Sequence, residues 1–160
     1  MIRPYRTADD RAALWSLKQG FELTLGTTTG GPGKAKRYQE KLDSDYRERY
    51  IEWVEACQAD EDCVFLAECG EEAVGYAFLL PERLAMIWDG AVLNELFVVE
   101  SARGSEVADE LMTAVIDAAR EQSLPIDRLL LDVDPENGRA RAFYDRYGFE
   151  PWGELVARSL

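Results

Sequence analysis

Histidine is absent from the 160 residues, and that one absence removes several chemistries together. A Ser-His-Asp or Cys-His nucleophile needs an imidazole base, and most zinc sites use one as a ligand, so no resident metal is expected. Cysteine is nearly absent. Cys57, Cys63 and Cys69 are odd in number and show no C-x-x-C spacing, so reduced, buried thiols are expected rather than a disulfide framework. No apolar run reaches the roughly 20 residues of a membrane span. The opening stretch MIRPYRTADD has no apolar signal core, so the cytoplasm is the expected compartment. Lysine occurs only at positions 18, 34, 36 and 41.

What is abundant is acid. Asp and Glu outnumber Lys and Arg by 31 to 18, for a formal net charge of −13, and such a surface repels the polyanions nucleic acid and anionic membrane. Cationic partners such as amines would be attracted. The excess of acid suits either a protein kept soluble in strong salt or an ordinary acidic cytosolic one, and the composition does not choose. A chain of this length fits a single domain, residues 1–160, with a sizeable core.

The chain organises itself around Val92 to Gln122. Val92 to Val99 is β-branched and apolar except for Asn94 and Glu95 in its middle, which a buried strand rarely tolerates without a use for them. A turn, Ser101 to Ser105, follows. From Val107 the apolar residues fall at 107, 108, 111, 112, 115, 116 and 119, one face of a helix, with Asp109, Glu110, Asp117 and Glu121 opposite. The N-terminal end of that helix faces the strand's exit, where free N–H groups and the helix dipole favour a phosphate.

Ahead of this unit, Met1 to Arg6 reads as a short strand. Thr7 reads as the cap of a helix carrying Leu14, Leu17, Phe21 and Leu25 on one stripe. Gly26 to Gly33 is a predicted loop. Its Gly33-Lys34 lacks the first glycine and the hydroxyl residue of a nucleotide-triphosphate P-loop. Lys34 to Cys57 is a charged helical stretch with Leu42, Tyr46, Tyr50, Val54 and Cys57 at helical spacing and a restart at Asp43-Ser44. Val64 to Cys69 and Val74 to Leu80 read as a hairpin, Pro81 to Ala91 as a connection, and Asp127 to Val133 as a buried strand parallel to the central one. Asp134 and Pro135 are expected to open a last helix that Gly148 ends in a left-handed cap. Glu154 to Leu160 reads as a final exposed strand able to pair or exchange between subunits, which makes a homodimer one expectation.

Two segments carry a resemblance to a known family. Arg103-Gly104-Ser105-Glu106-Val107-Ala108 resembles the pyrophosphate loop of the GNAT superfamily of N-acetyltransferases: Arg103 and Ala108 match, and Glu106 stands at the middle glycine. Asn137, Ala140, Phe143, Tyr144, Gly148 and Phe149 match the second hallmark of that superfamily in register. Residues 92 to 152 carry the close likeness. It implies an α/β (α+β) fold: a mixed, mostly antiparallel sheet of roughly six to seven strands flanked by about four helices, with a splay between two parallel central strands.

It also implies acetyl-CoA as co-substrate, an amine of a small molecule, peptide or protein as acceptor, and direct transfer without a covalent enzyme intermediate. Pantetheine would pair with the backbone of Phe97, Val98 and Val99, and the amide of Val98 or a neighbour would polarise the thioester oxygen. Arg103, Gly104, Ser105, Glu106, Val107 and Ala108 would hold the pyrophosphate. Asn137 would bond the pantetheine arm or cap its own helix. Tyr144 is the candidate general acid and counts with the cofactor-binding residues, and Glu95 is either the base or a structural carboxylate paired with an arginine.

At an effective dielectric of about 20, Glu106 placed about 5 Å from a phosphate charge would cost on the order of 3 kcal/mol. A positive φ there would add roughly 1 kcal/mol. The competing reading is therefore a catalytically inactive relative that binds acyl-CoA weakly or serves protein contact.

Overall fold

The computed structural model describes residues 1–28 and 33–160. In chain order these form β1 (Ile2–Pro4), α1 (Arg11–Thr28), α2 (Lys34–Lys41), α3 (Ser44–Asp60), β2 (Val64–Cys69), β3 (Glu72–Leu79) and α4 (Glu82–Ala85). There follow β4 (Ala91–Val98), a 3-10 turn (Glu100–Ala102), α5 (Val107–Glu121), β5 (Leu129–Leu130) and α6 (Gly138–Arg146). The strands make one mixed sheet in the order β1-β2-β3-β4-β5, antiparallel throughout except for the parallel β4–β5 pair.

Local chemistry sets the elements. Gly70, at φ 64°, turns β2 into β3. The Asp43 carboxylate accepts the amide of Tyr46 and starts α3 at the predicted restart. Leu111, Met112 and Val115 of α5 are buried against the sheet while Glu110, Asp117 and Glu121 face solvent. Strand alternation divides β4 between two layers: Glu95 and Phe97 face α1, whereas Val98 lies beside Leu111 of α5. No helix of the described residues is long and apolar enough to cross a membrane.

Several local expectations are corrected. The described residues hold five strands and six helices: the charged stretch after residue 33 divides in two, and one helical turn interrupts the connection after Pro81. β5 is two residues long, and Glu154 to Leu160 forms no strand, because so short an edge offers it almost no ladder. Trp152, Leu155 and Val156 stay exposed. Thr7 is not a cap. Ala8, at φ 74°, sits in a turn, and α1 begins only after Asp10, whose carbonyl accepts the amide of Leu14.

Similarly, Asp134 closes an Asx turn onto the amide of Glu136, and the last helix starts at Gly138. The loop expected from Gly26 is helical through Thr28, and its residues 29–32 lie outside the described residues. Cys57 and Cys63 are buried free thiols, but Cys69, at the hairpin turn, is exposed.

Candidate active site

β4 carries one residue more than β3 around Asn94, since Phe78 faces Glu95 and Leu79 faces Leu93. Beyond this bulge the Val99 amide donates to Val74 of β3 at 2.9 Å. Alternation along the strand then turns the amides of Leu96 and Val98 to the opposite edge. On that edge β5 pairs only with Ala91 and Val92 and then departs, so a notch opens between the two parallel strands. Arg103 Nε reaches back into it and donates to the Val98 carbonyl at 3.0 Å.

The turn that follows is built without strain at its one departure from the family pattern. Its left-handed position falls on Gly104, φ 78°, whereas Glu106 lies at φ −74°, ψ −5°, an ordinary helical conformation. Glu106 therefore incurs no positive-φ penalty, and its carboxylate sits on an exposed residue at a helix N-terminus, where acids are favourable. The Ser105 hydroxyl donates to the Ala102 carbonyl at 2.6 Å and accepts from the Val107 amide at 3.4 Å. Among the described residues no acceptor meets the amides of Gly104, Ser105, Glu106 and Ala108. Val107 and Ala108 themselves pack inward against the core.

A cleft of about 910 Å³ runs between α1, the C-terminal end of β4 and the start of α6. It gathers Phe97, Val99, Arg103 and Asn137 from the expected set, and adds Gly20 and Arg139. Gly20 lets the helix lie on the Phe97 ring, because a Cβ there would meet ring atoms at 2.8 and 2.9 Å. Burial pulls the Arg103 guanidinium below its ordinary pKa, and nearby Arg139 adds to the effect. Two cations this close, at the mouth of a cleft beside free amides, are suited to an anion. Sequence reasoning missed Arg139. Its signal was a basic residue in the first turn of a helix, the end where the dipole disfavours cations.

The Asn137 side-chain oxygen caps α6 by accepting the Ala140 amide at 3.2 Å, and the residue also lines the cleft. Tyr144 lies outside the residues that line the cleft. Its ring packs 5.5 Å from both Phe143 and Phe149, and burial pushes its hydroxyl up to about 12.

Glu95 is buried, and its partner is a lysine rather than the expected arginine. Lys18 Nζ donates to Glu95 Oε1 at 2.6 Å, while the hydroxyls of Tyr50 and Tyr76 donate to Oε2 at 2.7 and 2.8 Å. Lys18 also pairs with Glu22 at 2.6 Å, and Glu22 with Lys41 at 2.8 Å. Exposure is only 3% for Lys18, 4% for Glu22 and 6% for Glu95.

Burial alone would lower the Lys18 ammonium, but Glu95 and Glu22 outweigh it and the net shift is upward. Burial would likewise raise Glu22, and Lys18 and Lys41 reverse it to a net lowering. Both tyrosine hydroxyls are driven well up by burial and then by Glu95. Lys18 and Glu22 escaped sequence reasoning, although an i,i+4 ion pair interleaved with Leu14, Leu17, Phe21 and Leu25 on an apolar stripe was a legible signal.

A second, smaller cavity of about 350 Å³ opens over Glu95, walled by Tyr46, Arg49, Tyr50 and Trp53 of α3.

The chain matches known proteins in sequence and in fold. The acetyltransferase (GNAT) family model matches residues 32–149. An uncharacterized N-acetyltransferase of Bacillus subtilis (strain 168), YhfO, is 30% identical over 91 residues; the match covers 56% of this chain and 60% of the relative, less than two thirds of its length. Ribosomal-protein-alanine N-acetyltransferase from Brucella melitensis shares 25% identity with a TM-score of 0.72, over 96% of this chain and 86% of that one. PaiA N-acetyltransferase from Thermoplasma acidophilum, solved in complex with coenzyme A, has the same TM-score of 0.72 at 16% identity, over 94% of this chain and 89% of its own, a likeness of fold alone. On the family match, which spans most of its length, the chain belongs to the acetyltransferase (GNAT) family.

Proposed function

We propose that the protein transfers an acetyl group from acetyl-CoA directly to an amine. The observation that carries this reading is the notch after Val92, where the unpaired β4 edge runs into the amide-rich turn at residues 104–108. The pantetheine arm would add to that edge as a strand adds to a sheet, with its pyrophosphate on the free amides and on Arg103 and Arg139. Fit to the group is supported by the donor set: uncommitted N–H groups and two neighbouring guanidiniums suit a diphosphate.

The amine nitrogen attacks the thioester carbon, the C–N bond forms, the C–S bond breaks, and the thiolate departs. The nitrogen gives up its proton to Glu95, directly or through water, and the Val98 amide stabilises the developing oxyanion. Tyr144 acts on the leaving group as a hydrogen-bond donor. Full proton transfer from a hydroxyl near 12 to a thiolate whose pKa is about 8.5 would run about 5 kcal/mol uphill, so solvent supplies the final proton.

The test is calorimetric titration of acetyl-CoA into the wild type and Glu106→Gly, each in low and in molar salt, followed by thiol release with amines. Micromolar binding by the wild type, displaced by CoA, is expected. Repulsion from Glu106 would appear as tighter binding by the glycine variant that converges on the wild type in molar salt, where the Debye length is about 3 Å. Absence of binding by both folded proteins would overturn the reading.

A further inference from the structure

We infer that the smaller cavity over Glu95 is the acceptor subsite and that it takes an apolar amino acid, an amine carrying a carboxylate beside an apolar body; this rests on the acetyl-transfer reading above. Tyr46, Arg49, Tyr50 and Trp53 recur at i, i+3, i+4 and i+7 along α3, so one helix face forms the wall and Glu95 the floor. Tyr46 and Tyr50 stack with planes 15° apart, and Trp53 meets Tyr50 edge-on while remaining 38% exposed at the rim. These rings hold an apolar body.

Charge around the slot discriminates among amines. A polyamine or other polycation would need aromatic faces for its second ammonium, but the two tyrosine rings already carry lysines from within. Lys18 Nζ lies 4.6 Å from the Tyr50 ring centre and Lys41 Nζ lies 5.3 Å from that of Tyr46. At the rim stands Arg49, which no carboxylate engages among the described residues although the chain carries a net charge of −13. A planar guanidinium in that position selects a carboxylate.

At the floor, Glu95 Oε2 is filled by two tyrosine hydroxyls, whereas Oε1 accepts from Lys18 alone and keeps one lone-pair direction for the ligand's amine. The volume of about 350 Å³ is at the small end for ligand sites, sized for one amino acid. Glu95 and Phe97 are two residues apart on one strand face, about 7 Å, which places the amine near the end of β4, whose edge is proposed for the pantetheine and thioester.

The experiment compares phenylalanine and leucine with their decarboxylated amines, phenethylamine and isopentylamine, and with spermidine. It measures thiol release from acetyl-CoA and, independently of turnover, ligand binding by calorimetry. In the wild type each amino acid is expected to exceed its decarboxylated amine at least tenfold in kcat/KM and in affinity. Arg49→Ala, an exposed position, should bring each ratio to within threefold by raising KM for the amino acid, whereas Arg47→Ala, which removes a cation packed on Trp15 two residues earlier and on another face of α3, should keep the ratios.

Spermidine or the decarboxylated amines equalling the amino acids in the wild type would overturn the proposal, as would loss of the preference in Arg47→Ala to the same degree. The two readings fail separately. Amino-acid binding weakened by Arg49→Ala in a protein that takes up no acetyl-CoA would keep the site and overturn acetyl transfer; acetyl-CoA turnover without carboxylate preference would do the reverse.

Discussion

Replacing Lys18 by methionine removes the one ammonium that two buried carboxylates share while keeping an unbranched side chain of similar length. With Nζ 2.6 Å from an oxygen of each, charge centres about 4 Å apart at an effective dielectric of about 20 interact by about 4 kcal/mol per pair. Two such pairs are offset by the several kcal/mol it costs to desolvate the ammonium, and Glu22 retains Lys41 at 2.8 Å. The expected loss at pH 7.5 is therefore about 3–5 kcal/mol, the range for stripping one partner from a buried pair.

Denaturant unfolding of wild type and Lys18→Met at pH 7.5 and pH 5 measures it. In the wild type Glu22 is held below its ordinary value, so its contribution is present above the usual carboxylate range and lost as pH falls through the lowered one. In the variant the sign reverses: a carboxylate left without its cation is relieved by a proton, so the deficit should shrink toward pH 5. Adding Glu95→Gln to Lys18→Met should recover part of the loss, because the uncompensated charge is then gone. A variant within about 1 kcal/mol of wild type at pH 7.5, with no pH dependence, would refute the view that this network is a charge-balanced unit.

Asp10 offers a second pH test. Burial would raise its carboxyl, but the Arg3 guanidinium at 2.7 and 2.9 Å and the Arg6 amide at 2.6 Å bring it down to about 2. Stability on the order of 2 kcal/mol is then present above pH 4 and lost as the pH falls toward 2, and Asp10→Asn should flatten that acid limb of the unfolding profile. Arg139→Ala should weaken acetyl-CoA binding about fivefold and Arg103→Ala about tenfold or more, since Arg103 also holds the Val98 carbonyl; calorimetry at two salt concentrations should show both losses shrinking in high salt. Gly20→Ala gains up to about 1 kcal/mol of helix propensity. It also drives a methyl into the Phe97 ring at a cost of about 1–3 kcal/mol, so a lower melting temperature together with weaker acetyl-CoA binding is expected. Tyr144→Phe should lower kcat about tenfold with little change in acetyl-CoA affinity; an unchanged kcat would assign the hydroxyl no part in departure of the thiolate.

The elements that were legible in the sequence are those whose signal is local and periodic. The 3.6-residue repeat from Val107, the Asp43 restart and the left-handed Gly148, φ 79°, each follow from a few neighbouring residues, and each stands where the pattern put it. Caps were harder, because several candidates compete within one turn: Thr7 against Asp10, and Asp134 against Asn137. Asp134 is committed to the Glu136 amide and leaves the cap of α6 to Asn137, while the Asp10 carboxylate turns back to the Arg6 amide. Strand count failed where a strand depends on a distant partner, as Glu154 to Leu160 does on an edge only two residues long.

The site divides along the same line. Backbone features could be placed from sequence because a strand exit feeding a helix N-terminus needs only order and turn residues. Which residue of the turn would be left-handed was open in the pattern: it is Gly104, so the substituted position at Glu106 carries a charge but no conformational cost. Side chains meeting across the fold were beyond reach. Nothing in β4 identifies Lys18, which lies 77 residues earlier, as the partner of Glu95, and nothing in α3 alone says that its aromatic stripe closes over that carboxylate rather than over the general core. Yet each half displayed an anomaly by itself, a charge pair on an apolar helix face and an acid in mid-strand. A buried charge requires a partner. Two unexplained charges of opposite sign in one small core therefore point to each other, and the Lys18→Met, Glu95→Gln double variant tests that pairing directly.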